Sequence, residues 1–585
     1  MRYLGHSMKA ITNQLIVSFD YKKIDSSYDF YAITTSEKYI PYGAKCLDDK
    51  DGKVRFESIA FENGKTLYSM AQKGAVSLFD IVNGLDGDTL SVKKVDPKDI
   101  PDYMLFRLFL FSLNNFTNES LSFNNLTGKF YILQPGWMKK NGLTFTAVSI
   151  NIDKDMTISL EGVTFAKCSM FKDKKAIKDY PRYAFANKNN SLKRVFEVSD
   201  DDTYVKKGVY NKKADIPFFA LGKNEIKSTK VYFLYHVLDL LLQRYGNILS
   251  FEYQSVCIAQ TIGVEKDKDF MRYALEEAKE LNFNFVNFVD GAEYEEEFSD
   301  LVGKFGELAR IEGTVTDSID EKCANIVLIH NSDYYEQQHL QDPHSLLKCS
   351  VVSQCITVED SASRIIADNK AIIDTIIKEI VIKNDILKTK KISLDKWASY
   401  GFVMDWIFGK EHEGRHYFII VHPDGSFDLY NKPDDLRAWD IDILNECSDC
   451  LTDNKGKDVT VIATCDGDIN VLTKTNRYPL PSKQILELDF ISRSKDSRDK
   501  YLAGVVDINF YEEDKKSYCS VGIKGSGMNT KIIRAPHLYK VDVVSGNNVI
   551  GKILSSMSVT FVKYKSFTVL PYPVKYLNEY IALGM

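Results

Sequence analysis

Residues 283–289 read Phe-Asn-Phe-Val-Asn-Phe-Val, 325–329 read Asn-Ile-Val-Leu-Ile, and 353–357 read Ser-Gln-Cys-Ile-Thr. Each is a short run rich in β-branched and aromatic residues, as a buried strand requires. Between and after them the apolar residues change to helical spacing. Tyr294 to Ile311 predicts a helix, Asp342 to Cys349 another, and Asn369 to Ile382 an amphipathic third. Strand, helix, strand, helix is the pattern of a parallel sheet covered by helices. This stretch sets the fold class: a multidomain α/β protein.

The pattern changes on both sides. Before it, residues 1–160 alternate short β-like runs with Gly, Asn and Asp, as at Gln14 to Asp20, Phe130 to Gln134 and Thr144 to Ile150. Residues 161–250 begin lysine-rich and polar and end in a helix, with Val231, Leu234, Tyr235, Leu238, Leu241 and Leu242 on one face. Tyr103 to Leu113 reads as a buried helix. After about residue 390, hairpin signals dominate. Pro423-Asp424-Gly425 and Cys465-Asp466-Gly467-Asp468 each separate two strand-like runs. Helices are predicted near Leu436 to Asn445 and Gly551 to Thr560. Four segments follow: 1–160, 161–250, 251–390 and 391–585.

A chain of 585 residues is too long for one core. With 44% hydrophobic and 27% charged residues the composition is that of a soluble globular protein. No apolar run approaches the roughly 18 residues of a membrane span. The first twenty residues lack a signal-peptide pattern, and the ten scattered cysteines fit a reducing, cytoplasmic setting. A net charge of −6 does not by itself favour nucleic acid, but between Lys167 and Lys230 bases outnumber acids about two to one. Such a stretch serves equally as a solvated face.

Two constellations carry possible chemistry. In the α/β segment His344 and Lys348 are four apart, Gln354 opens a strand, and Lys378 and Lys383 lie on the following helix. Lysines and an amide converging at one end of a sheet would form a phosphate socket; singly, each is as well read as a solvated lysine. In the last segment Asp405 and Asp466 follow strand-like runs, and Glu446 lies between them. Glu411, His412, Glu413, His416 and His422 lack the spacing of a helical zinc site. Cys447 and Cys450 form a single CxxC with no second pair.

The chain ends with Gly525-Ser526-Gly527, Arg534-Ala535-Pro536-His537-Leu538-Tyr539-Lys540-Val541 and Phe567-Thr568-Val569-Leu570-Pro571-Tyr572-Pro573-Val574-Lys575-Tyr576-Leu577. This resembles the close of an Argonaute PIWI domain. Ser353-Gln354-Cys355-Ile356 and the helix from Ile376 to Lys383 resemble the strand and lysine helix of an Argonaute MID domain. The resemblance implies a Rossmann-like MID domain over 251–390 and an RNase H-like PIWI domain over 391–585, after a mixed α+β N-terminal half. The PAZ domain would be reduced or absent.

It further implies a guide 5′-phosphate socket of His344, Lys348, Gln354, Lys378 and Lys383, with histidine in place of the usual tyrosine. The Met585 carboxylate would reach back to that socket through Mg²⁺. Asp405 and Asp466 would be remnants of a metal site whose last ligand is replaced by Lys540. An ammonium has no lone pair for a metal, and it would repel Mg²⁺, so the resemblance implies an inactive nuclease site. The implied protein loads a short 5′-phosphorylated guide, DNA or RNA, and pairs it with target DNA. It recruits an effector helicase-nuclease in prokaryotic defence against plasmids or phage, as the Argonaute-like member of the Ddm plasmid-elimination system does. The alternatives are a guided Mg²⁺-dependent endonuclease with a rearranged site and a guide-free nucleic-acid sensor.

Overall fold

The computed structural model describes residues 8–38, 40, 56–84, 90–115, 117–118, 121–126, 129–133, 143–171, 177, 180–186, 191–195, 203–207, 216–220, 226–262, 269–347, 351–392, 397–431, 442–488, 495–513, 515–522, 531–532, 534–559 and 570–584. The chain is a mixed α/β protein with several sheets. Its centre is a four-stranded parallel sheet in the order Gly313–Thr316, Phe283–Asn287, Ala324–Ile329, Ser353–Thr357. The register sets Ile326 opposite Gln354 and Phe285 opposite Ile326. Helices Ala292–Ala309 and Lys370–Asn384 pack on it. Phe285, Phe305, Ile326, Ile356, Ile373 and Ile377 form one buried cluster. The near-continuous apolar strands follow from burial on both faces.

The helix predicted from Asp342 to Cys349 is only Pro343–Leu346, one turn started by the Asp342 carboxylate. Proline at its start sets the backbone and lacks an N–H that would go unused there. Elsewhere the pattern was legible: the helix Lys370–Asn384 and the strand Ser353–Thr357 fall where the spacing put them. Of the helix predicted near Leu436–Asn445 the described part runs Asp442–Asp453, and residues 432–441 lie outside the described residues.

A ten-stranded sheet is assembled from both ends of the chain. Its order is Met8–Phe19, Leu249–Ile262, Ile508–Glu513, Lys516–Val521, Tyr539–Ser545, Ile469–Lys474, Val459–Thr464, Trp406–His412, Arg415–Val421, Phe427–Tyr430. All its pairs are antiparallel. Trp406–His412 and Val459–Thr464 run antiparallel, and Asp405 stands directly before its strand rather than after one.

The N-terminal half adds an antiparallel sheet around Tyr28–Thr35 and an eight-stranded sheet around Thr144–Ile152 and Ile158–Lys167. The boundary expected at 160/161 therefore falls inside a strand. Helices Asp102–Phe111 and Lys230–Tyr245 fill the space between these sheets, burying Phe106, Phe109, Leu234 and Leu241 in a common core.

Candidate functional site

The lysine helix crosses the sheet antiparallel to the Ser353–Thr357 strand, so its C-terminal turn lies over that strand's beginning. Lys383 Nζ donates to the Ser353 carbonyl at 2.7 Å and to Gln354 Oε1 at 2.9 Å. Two of the five residues expected in the socket are therefore in direct contact. An ammonium has three donors, so one N–H is left for a further acceptor. Burial pulls the Lys383 pKa down, against the opposing pull of Glu579 and Glu379.

The C-terminal helix Pro573–Leu583 brings a further lysine to which no sequence motif assigns a role. Lys575 is buried and pairs with Glu579 one turn on. Both act electrostatically on Lys383. Tyr576 Oη donates to Asp385 Oδ2 at 2.8 Å, fixing this helix against the end of the lysine helix. Lysine and glutamate at an i, i+4 spacing were visible in the sequence; their burial was not.

The other socket residues divide. His344 Nδ1 lies 2.8 Å from Asp342 Oδ1, and its backbone N–H donates to the same oxygen. Cys355 is flanked electrostatically by Lys383 and Asp342, and burial raises its thiol pKa to about 11. His344 is thus paired to an acid next to it in the chain. Lys378 is half-buried. Five residues turn a helix by about 500°, leaving Lys378 roughly 140° around the axis from Lys383. The two lysines cannot both point at Gln354. Lys348, Met585 and Gly525–Gly527 lie outside the described residues.

The acidic constellation does not assemble as expected. Asp466 sits in the exposed turn between Val459–Thr464 and Ile469–Lys474, and the Asp405 carbonyl accepts from the Cys465 N–H at 3.2 Å. Lys540 lies opposite Thr473, whereas Ile469, next to the turn, lies opposite Ser545. At about 3.3 Å per residue, that is roughly 13 Å along the strand. Lys540 Nζ instead pairs with Asp542 Oδ1 at 2.5 Å. The reading of Lys540 as occupant of the last metal position beside Asp405 and Asp466 is corrected by this register.

Asp405 has another partner. His422 Nδ1 is 3.0 Å from Asp405 Oδ1 and its Nε2 is 3.2 Å from Asp428 Oδ2. Burial opposes the charged imidazole, but the two carboxylates outweigh it and raise the His422 pKa. The buried acid of this region is Asp468, which accepts from the Asn547 N–H at 2.8 Å and from its Nδ2 at 3.1 Å. Its pKa is lowered, with the Asn547 backbone bond as the chief cause. Glu446 is exposed. His416 Nδ1 is 2.6 Å from Ser448 Oγ. Burial pushes the Cys447 and Cys450 thiols up, and both pack in a buried apolar cluster with Leu444 and Leu451. Among the described residues no three His, Cys, Asp or Glu side chains converge on a metal position. Among them, too, no helix is long and apolar enough to cross a membrane.

Comparison of the sequence with protein-family models returns no match, and comparison with curated proteins returns none either.

Proposed function

We propose that this chain is a guide-dependent nucleic-acid-binding protein of Argonaute type that does not cleave. The contact that carries this reading is Lys383 on Gln354 at the start of the Ser353–Thr357 strand, with Lys575 beside it. A terminal phosphate carries up to two charges and several acceptor oxygens. The free donor of Lys383, on the helix, and the Gln354 amide, on the strand, suit it. The guide would be a short 5′-phosphorylated DNA or RNA. Base pairing would select target DNA, and a separate helicase-nuclease would act on it in defence against plasmids or phage.

The RNase H-like reading of residues 391–585 stays part of the resemblance; the described strands beside Asp405 pair antiparallel. The Mg²⁺ reading rests on the Met585 carboxylate. Among the described residues at this end Lys383 and Lys575 supply positive charge that suits a phosphate, with Glu579 and Glu379 acting on Lys383 from the other sign. Phosphate charge is therefore met by lysine.

The test is extraction and end-labelling of nucleic acid that copurifies with the protein. Short 5′-phosphorylated strands of narrow length are expected. A protein that carries none, and that ignores added 5′-phosphorylated oligonucleotides, overturns the reading.

A further inference from the structure

The opposite, carboxyl end of the parallel sheet holds a second cluster. The chain leaves Phe283–Asn287 for Gly313–Thr316 on one side, then crosses to Ala324–Ile329 on the other. The direction of winding thus reverses between Phe283–Asn287 and Ala324–Ile329. In open α/β sheets the carboxyl ends of such a strand pair form the crevice where ligands bind.

Side chains from three connections meet there. His330, directly after its strand, is buried and stacks on Tyr334, with ring centroids 3.7 Å apart and planes 21° apart. Tyr294, in the first turn of Ala292–Ala309, meets the same imidazole edge-on at 5.5 Å. Glu359, after the last strand, holds His330 Nδ1 at 2.8 Å and accepts the Asn331 N–H at 2.9 Å. Tyr334 itself is 36% exposed. His330 covers one face of its ring.

Charge at this end is one-sided. Glu297 lies one turn after Tyr294, and its pKa is raised by burial and by the Glu359 carboxylate. Among the described residues no lysine or arginine forms an ion pair with Glu297 or Glu359. Each carboxylate oxygen of Glu359 has one bond and room for another. Asp290, Asp333 and Glu336 add to the same sign.

We propose that this crevice binds a guanidinium or alkylammonium group, with the ring of Tyr334 as cation–π platform and Glu359 and Glu297 as counter-charges. An organic cation suits an aromatic face beside carboxylates. A nucleic-acid phosphate would be repelled, which separates this end from the lysine end of the same sheet. The inference does not rest on the guide-binding reading. The cation is carried either by a small amine or by a basic side chain of a partner protein.

Isothermal titration calorimetry with agmatine, and separately with a short peptide bearing one central arginine, tests this on the full chain. Saturable binding is expected, weakened about tenfold in Tyr334→Ala, the share a cation–π contact supplies. Glu359→Gln should weaken it as well, while Tyr334→Phe and Lys383→Met leave it unchanged. A peptide that binds more tightly than agmatine identifies a partner's side chain; the reverse identifies a small amine. No saturable heat with either probe overturns the proposal. So does equal binding by wild type, Tyr334→Ala and Glu359→Gln.

Discussion

Replacing Lys383 by methionine keeps the length of the side chain and removes its charge and its three donors. In the free protein this leaves the Ser353 carbonyl and Gln354 Oε1 without their present donor. An unpaired buried acceptor costs about 1–3 kcal/mol, so stability should fall by an amount of that order. With a guide bound, the lost ammonium–phosphate hydrogen bond is worth about 1.5–3 kcal/mol, or roughly 10- to 100-fold in Kd. The two effects separate by comparing a 5′-phosphate guide with the same strand ending in 5′-hydroxyl. Destabilisation acts on both strands alike, whereas loss of the phosphate contact acts on one. Fluorescence anisotropy at fixed ionic strength should therefore show a phosphate preference in wild type that collapses in Lys383→Met. The salt must be held constant because phosphate contacts weaken as it rises. Equal phosphate preference in the two proteins would refute the reasoning, and so would its absence from wild type.

The remaining expectations concern the C-terminal sheet. Gly546 has φ of +64°, and a Cβ there would stand 2.3 Å from Asp468 Oδ1. Gly546→Ala should cost about 1–3 kcal/mol, read as a drop in thermal midpoint. Asp468 has a lowered pKa, so the stability it supplies is present above the unfolded carboxylate range near 4 and is lost as pH falls through its folded value. Denaturant titrations of wild type and Asp468→Asn should converge at acid pH. His422 has the opposite sign. Its pKa is raised, so its contribution is full below the ordinary imidazole value and disappears as pH rises through the folded one. His422→Gln should flatten stability in that window, and NMR titration of the ring should give a value above about 6.5. Lys540 and Asp542 are both substantially exposed. Lys540→Ala should change stability by less than about 1 kcal/mol, and Lys540→Asp should create no Mg²⁺-dependent cleavage, because position 540 is remote from the Asp466 turn.

Much of the α/β segment was legible because its signals are local. Strands buried on both faces must be nearly all apolar, and the helix Lys370–Asn384 must carry isoleucines at helical spacing to cover them. Those two rules place Gln354 and Lys383 on adjacent elements from the sequence alone. They did not say which of two nearby lysines would face the glutamine; the helical rotation between 378 and 383 decides that. His330 carried no motif, and only the crossover order of the strands puts it at the sheet's winding reversal beside Glu359.

The C-terminal half shows the limit more sharply. A hairpin reads the same from sequence whether its outer strands pair in parallel or antiparallel with the rest of a sheet. Asp405, Asp466 and Lys540 were therefore grouped into one site only by the PIWI resemblance. The register of Ile469–Lys474 against Tyr539–Ser545 draws Lys540 away and puts Asn547 on Asp468. The sequence by itself determined the elements, the parallel core and the residue types available for a phosphate. Tertiary structure alone decided which of them meet, because strand register and helix rotation are fixed by packing between segments far apart in the chain.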